Sequence, residues 1–291
     1  MASADAYAEI LDKLADKHQA RLAAALRLLE ARLIQFMSGA PLNGGNLFDL
    51  AWAIAARPQI KALINEAYLS EVQSVLNEYT SVVESNYKLL SKYGNFTKID
   101  PAVVSQLQKL SFQGFEAIAN EYLDTISTGL YQSTLTGRPF AETITNLQGA
   151  INGVYVQADE EEAARLVEIA KNGSPKQAAS AIEKLHTKFG RDRSGDNLAR
   201  YSNVYVQDSL MQFNASITTS TGFASGAKKW LYYGSIIRDS RDFCKEHAGK
   251  TYTNEQIAEI WSGSWGGKAQ GDPFIVRGGY NCRHHWVPVF D

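Results

Sequence analysis

The chain has 291 residues, of which 45% are hydrophobic and 21% charged, and a net charge of -2. That balance excludes a global attraction to nucleic acid or to an anionic membrane surface. Two cysteines cannot build a disulfide framework, and without a signal peptide or a long apolar run the chain is expected to fold in a reducing cytoplasm and to have no membrane span.

From the N-terminus to about Gly226 the pattern is helix after helix. In the first, Ile10, Leu11, Leu14, Leu22, Leu26, Leu29 and Leu33 recur on a helical period, and the Gly, Pro and Asn cluster "SGAPLNGGN" stops it. A short apolar helix, "NLFDLAWAIAAR", ends at Pro58. A second long helix then begins with Pro58 in its first turn and stops at Gly94, and a third runs from the cap Asp100 and Pro101 to Gly137. Three long helices with short connections predict an elongated antiparallel bundle.

Shorter helices follow in "PFAETITNLQGAI", in "ADEEEAARLVEIAKN" with its acidic start from Asp159 to Glu162, and in "SPKQAASAIEKLHTKF" with the cap pair Ser174 and Pro175. The next helix, "SGDNLARYSNVYVQDSLMQFNASITTSTGF", is expected to bury Leu198, Tyr201, Tyr205, Leu210 and Phe213. After Gly226 the runs "KKWLYYGSII", "KTYT", "PFIV" and "HHWVPVF" are aromatic and β-branched and alternate with Gly-rich loops, which predicts strands. The fold class is therefore mainly α, an elongated N-terminal helical bundle followed by a small C-terminal α+β module. The expected segments are 1–137 (long-helix bundle), 138–226 (shorter and connecting helices) and 227–291 (the module).

The conspicuous residues of the helical part have plain readings. The triplet Glu160, Glu161 and Glu162 is a solvated helix start, and the aromatics between Tyr68 and Tyr131 sit at helical spacings suited to a core. His18 lies among Lys17, Gln19 and Arg21 on a polar face, and His186 beside Leu185 is an ordinary helix residue. No phosphate-binding loop, dinucleotide fingerprint, zinc-protease motif or nucleophile elbow is present. The chain is accordingly expected not to be an enzyme.

The module concentrates the chain's metal-binding chemistry. Cys244 and His247 stand at Cys-x2-His spacing, and Cys282 with His284 forms a Cys-x-His pair in "GGYNCRHHW". On a strand, residues two apart share a face, so Cys282 and His284 turn together while His285 points away. Cys244, His247, Cys282 and His284 are thus candidate ligands of a closed structural zinc site, with His285 as a substitute for His284. Two other arrangements fit the same spacing: a hydrogen-bonded cluster without metal, and a disulfide.

The succession "ARYSNVYVQDSLMQFN", "KKWLYYGSIIRDSRDFCKEHAGKTYT" and "GGYNCRHHWVPV" resembles the C-terminal domain of the Mu F-like minor head proteins, the head morphogenesis proteins of tailed bacteriophages. Trp230, Asp239, Arg241, Cys244, His247, Gly249, Gly279, Cys282, Arg283 and His284 stand at the matching positions. Where family members close on Cys-Arg-Cys, this chain has His284. The resemblance implies a structural virion protein at the portal vertex or capsid interior, acting in head assembly or genome ejection. It further implies the portal or major capsid protein as partner, an oligomeric arrangement in the virion, and assembly in the host cytoplasm. Residues 228–291 carry nine Lys and Arg against seven Asp and Glu, so Lys228, Lys229, Arg238 and Arg241 would make at most weak contacts with packaged DNA. Asp239 and Arg241 are expected to pair and fix the turn before Cys244. The alternatives are a head-to-tail adaptor, and an ADP-ribosyltransferase-like or hydrolytic enzyme built around His247, His284 and Asp239.

Overall fold

The computed structural model describes residues 2–45, 47–91, 98–152, 154–155, 161–174, 176–177, 180–181, 184–185, 193–194 and 197–290. Gly94, Asp159, Glu160, Pro175 and His186, given roles above, lie outside them. The chain is mainly α-helical with one small antiparallel sheet near its C-terminal end. No helix among the described residues is long and apolar enough to cross a membrane.

Helix α1 spans Ala2–Ser38 and α2 spans Leu50–Ala55, the latter capped by the Asp49 carboxylate, which accepts from Trp52 N–H. The second long helix is interrupted. It comprises α3 (Arg57–Ile64), a π-helical turn (Asn65–Leu69), α4 (Ser70–Asn77) and, after Glu78, α5 (Tyr79–Leu90). The wider turn buries three consecutive residues, Ala67, Tyr68 and Leu69. Then come α6 (Pro101–Leu135), α7 (Phe140–Asn152), β1 (Val154–Tyr155), α8 (Glu161–Asn172), β2 (Arg193–Ser194) and α9 (Leu198–Ala224).

These elements form two compact units, each discontinuous in sequence. One contains 20–73 and 114–203, with Leu22, Leu26, Leu29, Leu33, Phe115 and Phe140 in its core and Phe48 stacked on Trp52. The π turn's Tyr68 hydroxyl lies 2.6 Å from Ser202 Oγ in the same unit.

The other unit contains 1–19, 74–113 and 204–291. Its part of α1 buries Tyr7, Leu11, Ala15 and His18, whereas Ile10, expected inside, is exposed. His18 is fully buried rather than on a polar face, because its ring stacks on Tyr79 and its Nε2 lies 3.3 Å from the Glu78 carboxylate. In α9, Leu198, Leu210 and Phe213 are buried as expected, but Tyr201 is exposed. From Val206 onward α9 is buried on nearly every side; Gln207, Asp208, Ser209, Asn214 and Thr218 find partners within the unit, whereas the Thr219 and Thr221 hydroxyls are buried without one among the described residues. Asn86 of α5 donates to Tyr7, Asn214 and Thr218, and Tyr7 donates to Asn214. Burial of such groups is tolerated because they bond one another.

The same unit holds the C-terminal module. Strands β3 (Lys229–Tyr233), β4 (Thr251–Thr253) and β5 (His285–Val289) form an antiparallel sheet in the order β4-β3-β5. Tyr232 pairs with Trp286 and Tyr233 with His285. Alternation puts Trp230, Tyr232, Tyr252 and Trp286 on one face, against Phe243, Ile257 and Phe274. Short helices α10 (Asp242–His247), α11 (Asn254–Trp261) and α12 (Pro273–Val276) cover that face. The run "PFIV" is thus a helical turn and not a strand. The Asp272 carboxylate accepts from Phe274 N–H and Pro273 occupies the first turn, so the start signal overrides the β-branched composition.

A candidate metal centre in the module

Each side chain of the centre is set by its element. Cys244 lies on α10, Tyr232 on the central strand, and Cys282 and His284 on the segment entering β5. Cys244, Cys282 and His284 are buried and lie together, with their candidate ligand atoms all within 4.8 Å of one another. The two sulfurs are 3.8 Å apart, and Cys282 Sγ is 3.7 Å from His284 Nδ1. Both cysteines are free thiols, so the disulfide arrangement is not the one adopted. Three of the four residues expected from the sequence are therefore in one group that could hold a metal ion.

His247 is not part of that group. Its ring packs on Phe243, and its Nδ1 lies 2.7 Å from the Tyr252 hydroxyl. Although α10 brings residues three apart to neighbouring positions, His247 bonds to Tyr252 on β4 and is not among the residues grouped with Cys244. His247 instead borders an open cleft of about 790 Å³, together with Asp242, Glu246, Glu259 and Trp265. His285 turns to the opposite face of the sheet, where its ring meets Tyr7 and Tyr233 edge-on.

Sequence reasoning missed Tyr232. Its ring stacks on His284, with centroids 5.2 Å apart, and its hydroxyl lies 3.5 Å from Cys244 Sγ and 3.6 Å from Cys282 Sγ. The available signal was the aromatic alternation in "KKWLYYG", which puts Tyr232 on the same face as Trp230.

The electrostatics favour one thiolate in the pair. Hydrogen bonding from Cys244 pulls the Cys282 thiol well below its ordinary range, helped by His284 and by the charge of Arg277. The Cys244 thiol is pushed up, first because it donates to Cys282 and then by burial. Burial and the neighbouring sulfurs push the Tyr232 phenol well above its usual value. A cation entering here would meet a sulfur already disposed to carry charge.

The surrounding loops hold the geometry. Arg277, fully buried, donates to the carbonyls of Ile275 and Cys282. Asn281 N–H donates to both oxygens of Asp208, at 2.8 and 3.0 Å, and Gln207 donates back to Asn281, which ties the ligand-bearing segment to α9. Gly279 has φ of +109°, and a side chain there would strike the Gly267 carbonyl, so the approach of the two loops requires glycine. Arg241 does not fix a turn with Asp239. It donates to the carbonyls of Gly266 and Tyr280 and so clamps those same two loops.

The residues fit a tetrahedral ion. With Zn–S of about 2.3 Å and Zn–N of about 2.0–2.1 Å, two thiolates stand about 3.8 Å apart and a thiolate and an imidazole about 3.6 Å apart. The observed separations of 3.8 and 3.7 Å match. Comparison with protein-family models, with curated proteins and with solved structures finds no match to this chain.

Proposed function

We propose that the chain is a minor head protein of a tailed bacteriophage, a structural component of the virion, and that Cys244, Cys282 and His284 hold a zinc ion that staples its C-terminal module. The observation that carries the structural reading is the burial of the centre. Cys244, Cys282 and His284 are only 2%, 3% and 4% exposed, which leaves a substrate no way in and suits an ion that holds a fold together. The ion, when bound, supplies cross-linking between α10 and the segment entering β5, where little secondary structure does so.

Support for the head-protein reading comes from which residues carry the sequence resemblance. Trp230, Cys244, Cys282 and His284 are buried in one module, and Arg241, Gly279 and Arg283 hold its loops. A recurring string of that kind marks a fold, in keeping with a protein whose work is docking on portal or capsid subunits. The test is to express a tagged copy during assembly of the phage that encodes it and probe purified heads by immunoblot. Retention in the particles supports the proposal. A chain found only in the soluble fraction, while complete particles form, overturns it.

A further inference from the structure

We infer that Tyr232 is the fourth ligand of the centre, completing a set of two cysteines, one histidine and one tyrosine around a divalent cation, and that Gly278 is the residue that keeps the ion's place clear. This rests on the metal reading above and adds to it the identity of the remaining ligand.

Three contacts place the oxygen. The Tyr232 hydroxyl is 3.5 Å from Cys244 Sγ and 3.6 Å from Cys282 Sγ, and those sulfurs are 3.8 Å apart. In a tetrahedral site with a metal–oxygen bond of about 2.0 Å and metal–sulfur bonds of about 2.3 Å, each S···O edge is about 3.5 Å and the S···S edge about 3.8 Å. The three atoms therefore already stand as one face of a coordination tetrahedron. Without an ion the same distances serve hydrogen bonds in which the phenol donates to one sulfur and accepts from the other; with an ion all three protons leave and the edges stay as they are. His284, whose ring stacks on Tyr232, brings the nitrogen to the same group.

Gly278 supplies the second observation. A Cβ at this position would lie 2.7 Å from Cys244 Sγ, 2.7 Å from the Tyr232 oxygen and 2.9 Å from Cys282 Sγ. That point is nearly equidistant from the three ligand atoms, so a methyl group there would collide with any ion they hold in common. The backbone at Gly278 is pinned from outside, because Trp265 Nε1 donates to its carbonyl at 3.0 Å, and so cannot easily withdraw. The absence of a side chain lets the two sulfurs and the phenol stand this close to one another and to the loop. Binding displaces the thiol and phenolic protons to solvent, and the buried Arg277 guanidinium, which donates to the Cys282 carbonyl at 3.1 Å, offsets part of the negative charge that results.

The experiment is a metal titration of the full chain, stripped of metal and reduced, with Zn²⁺ and with Co²⁺ as a spectroscopic probe. Wild type should bind one ion per chain, and Zn²⁺ at neutral pH should produce the near-ultraviolet difference band of an ionised tyrosine. In Tyr232→Phe that band should vanish, and affinity should fall by more than the roughly 10–100-fold that loss of an outer-shell partner costs. Gly278→Ala, which keeps all four ligands, should lose the ion as well. Wild type that binds one ion without a tyrosinate band, with Tyr232→Phe binding within tenfold of it, overturns this inference and leaves a centre of two cysteines and one histidine. Gly278→Ala binding as tightly as wild type overturns the role of the glycine. Wild type that takes up neither ion overturns the metal reading itself.

Discussion

The buried guanidinium of Arg277 lies 3.6 Å from the Asp208 carboxylate, so a charge on the loop before the ligand segment is balanced by one on the central helix α9. Burial pushes the Asp208 carboxyl up, opposed by the Asn281 N–H and by Arg277. Removing one partner of such a pair leaves the other charge uncompensated. Asp208→Ala and Arg277→Met should therefore each lose about 3 kcal/mol of stability in urea unfolding, and the double variant, which leaves neither charge buried, should lose less than the two single losses added together. A double variant that loses the full sum would contradict this account of the pair.

Arg283 joins the ligand segment to the start of the chain. It donates to Gln207 at 3.0 Å and to Asp16 at 2.8 Å, and lies 3.4 Å from Asp12. Because its side chain is 37% exposed, solvent screening limits the gain, and Arg283→Ala is expected to cost about 1 kcal/mol at low salt and less at high salt. Comparing denaturation midpoints at two ionic strengths checks both parts.

Much of the module was legible because strands state their faces in sequence. The alternation of Trp230 with Tyr232, and the position of Trp286, follow from period-two patterning, whereas Cys282 and His284 come together on the loop before β5 begins at His285. Three things were not legible. His247 stands at a ligand spacing, but its position is decided by Tyr252, a strand residue whose hydroxyl becomes a neighbour only once β4 pairs with β3. The buried face of α9 was hidden because Gln207, Asp208, Asn214 and Thr218 are polar, and their partners Tyr7, Asn86, Arg277 and Asn281 are distant in sequence. "PFIV" reads as a strand by composition, yet the Asp272 cap and Pro273 start a helix within it.

Acidification should weaken the module through His247. Burial holds its imidazole below the usual range, against the opposing charge of Glu246. A histidine with a lowered folded pKa binds fewer protons folded than unfolded. Stability is then full above the unfolded value of about 6.5 and falls as pH drops through it toward the folded value. The urea midpoint should decrease between pH 7.5 and pH 5.5, and the decrease should be smaller in His247→Gln. An unchanged pH slope in the variant would remove His247 from this account.

Chelation should also destabilise the chain. An ion that binds only the folded state adds stability that grows with its free concentration, about 2.7 kcal/mol at 100 times Kd. Thermal unfolding with a strong chelator should occur at a lower midpoint than with added zinc, and Cys282→Ser should show little difference between the two conditions. A wild-type midpoint indifferent to zinc and chelator would count against a stapling role.

The most direct test is elemental analysis of the purified full chain for zinc, paired with thiol counting before and after denaturation. We predict one zinc per chain, with Cys244 and Cys282 protected in the native state and both reactive once the chain is denatured in the presence of a chelator. A chain that carries no zinc and acquires none on titration, with the same two thiols free, would contradict the metal centre.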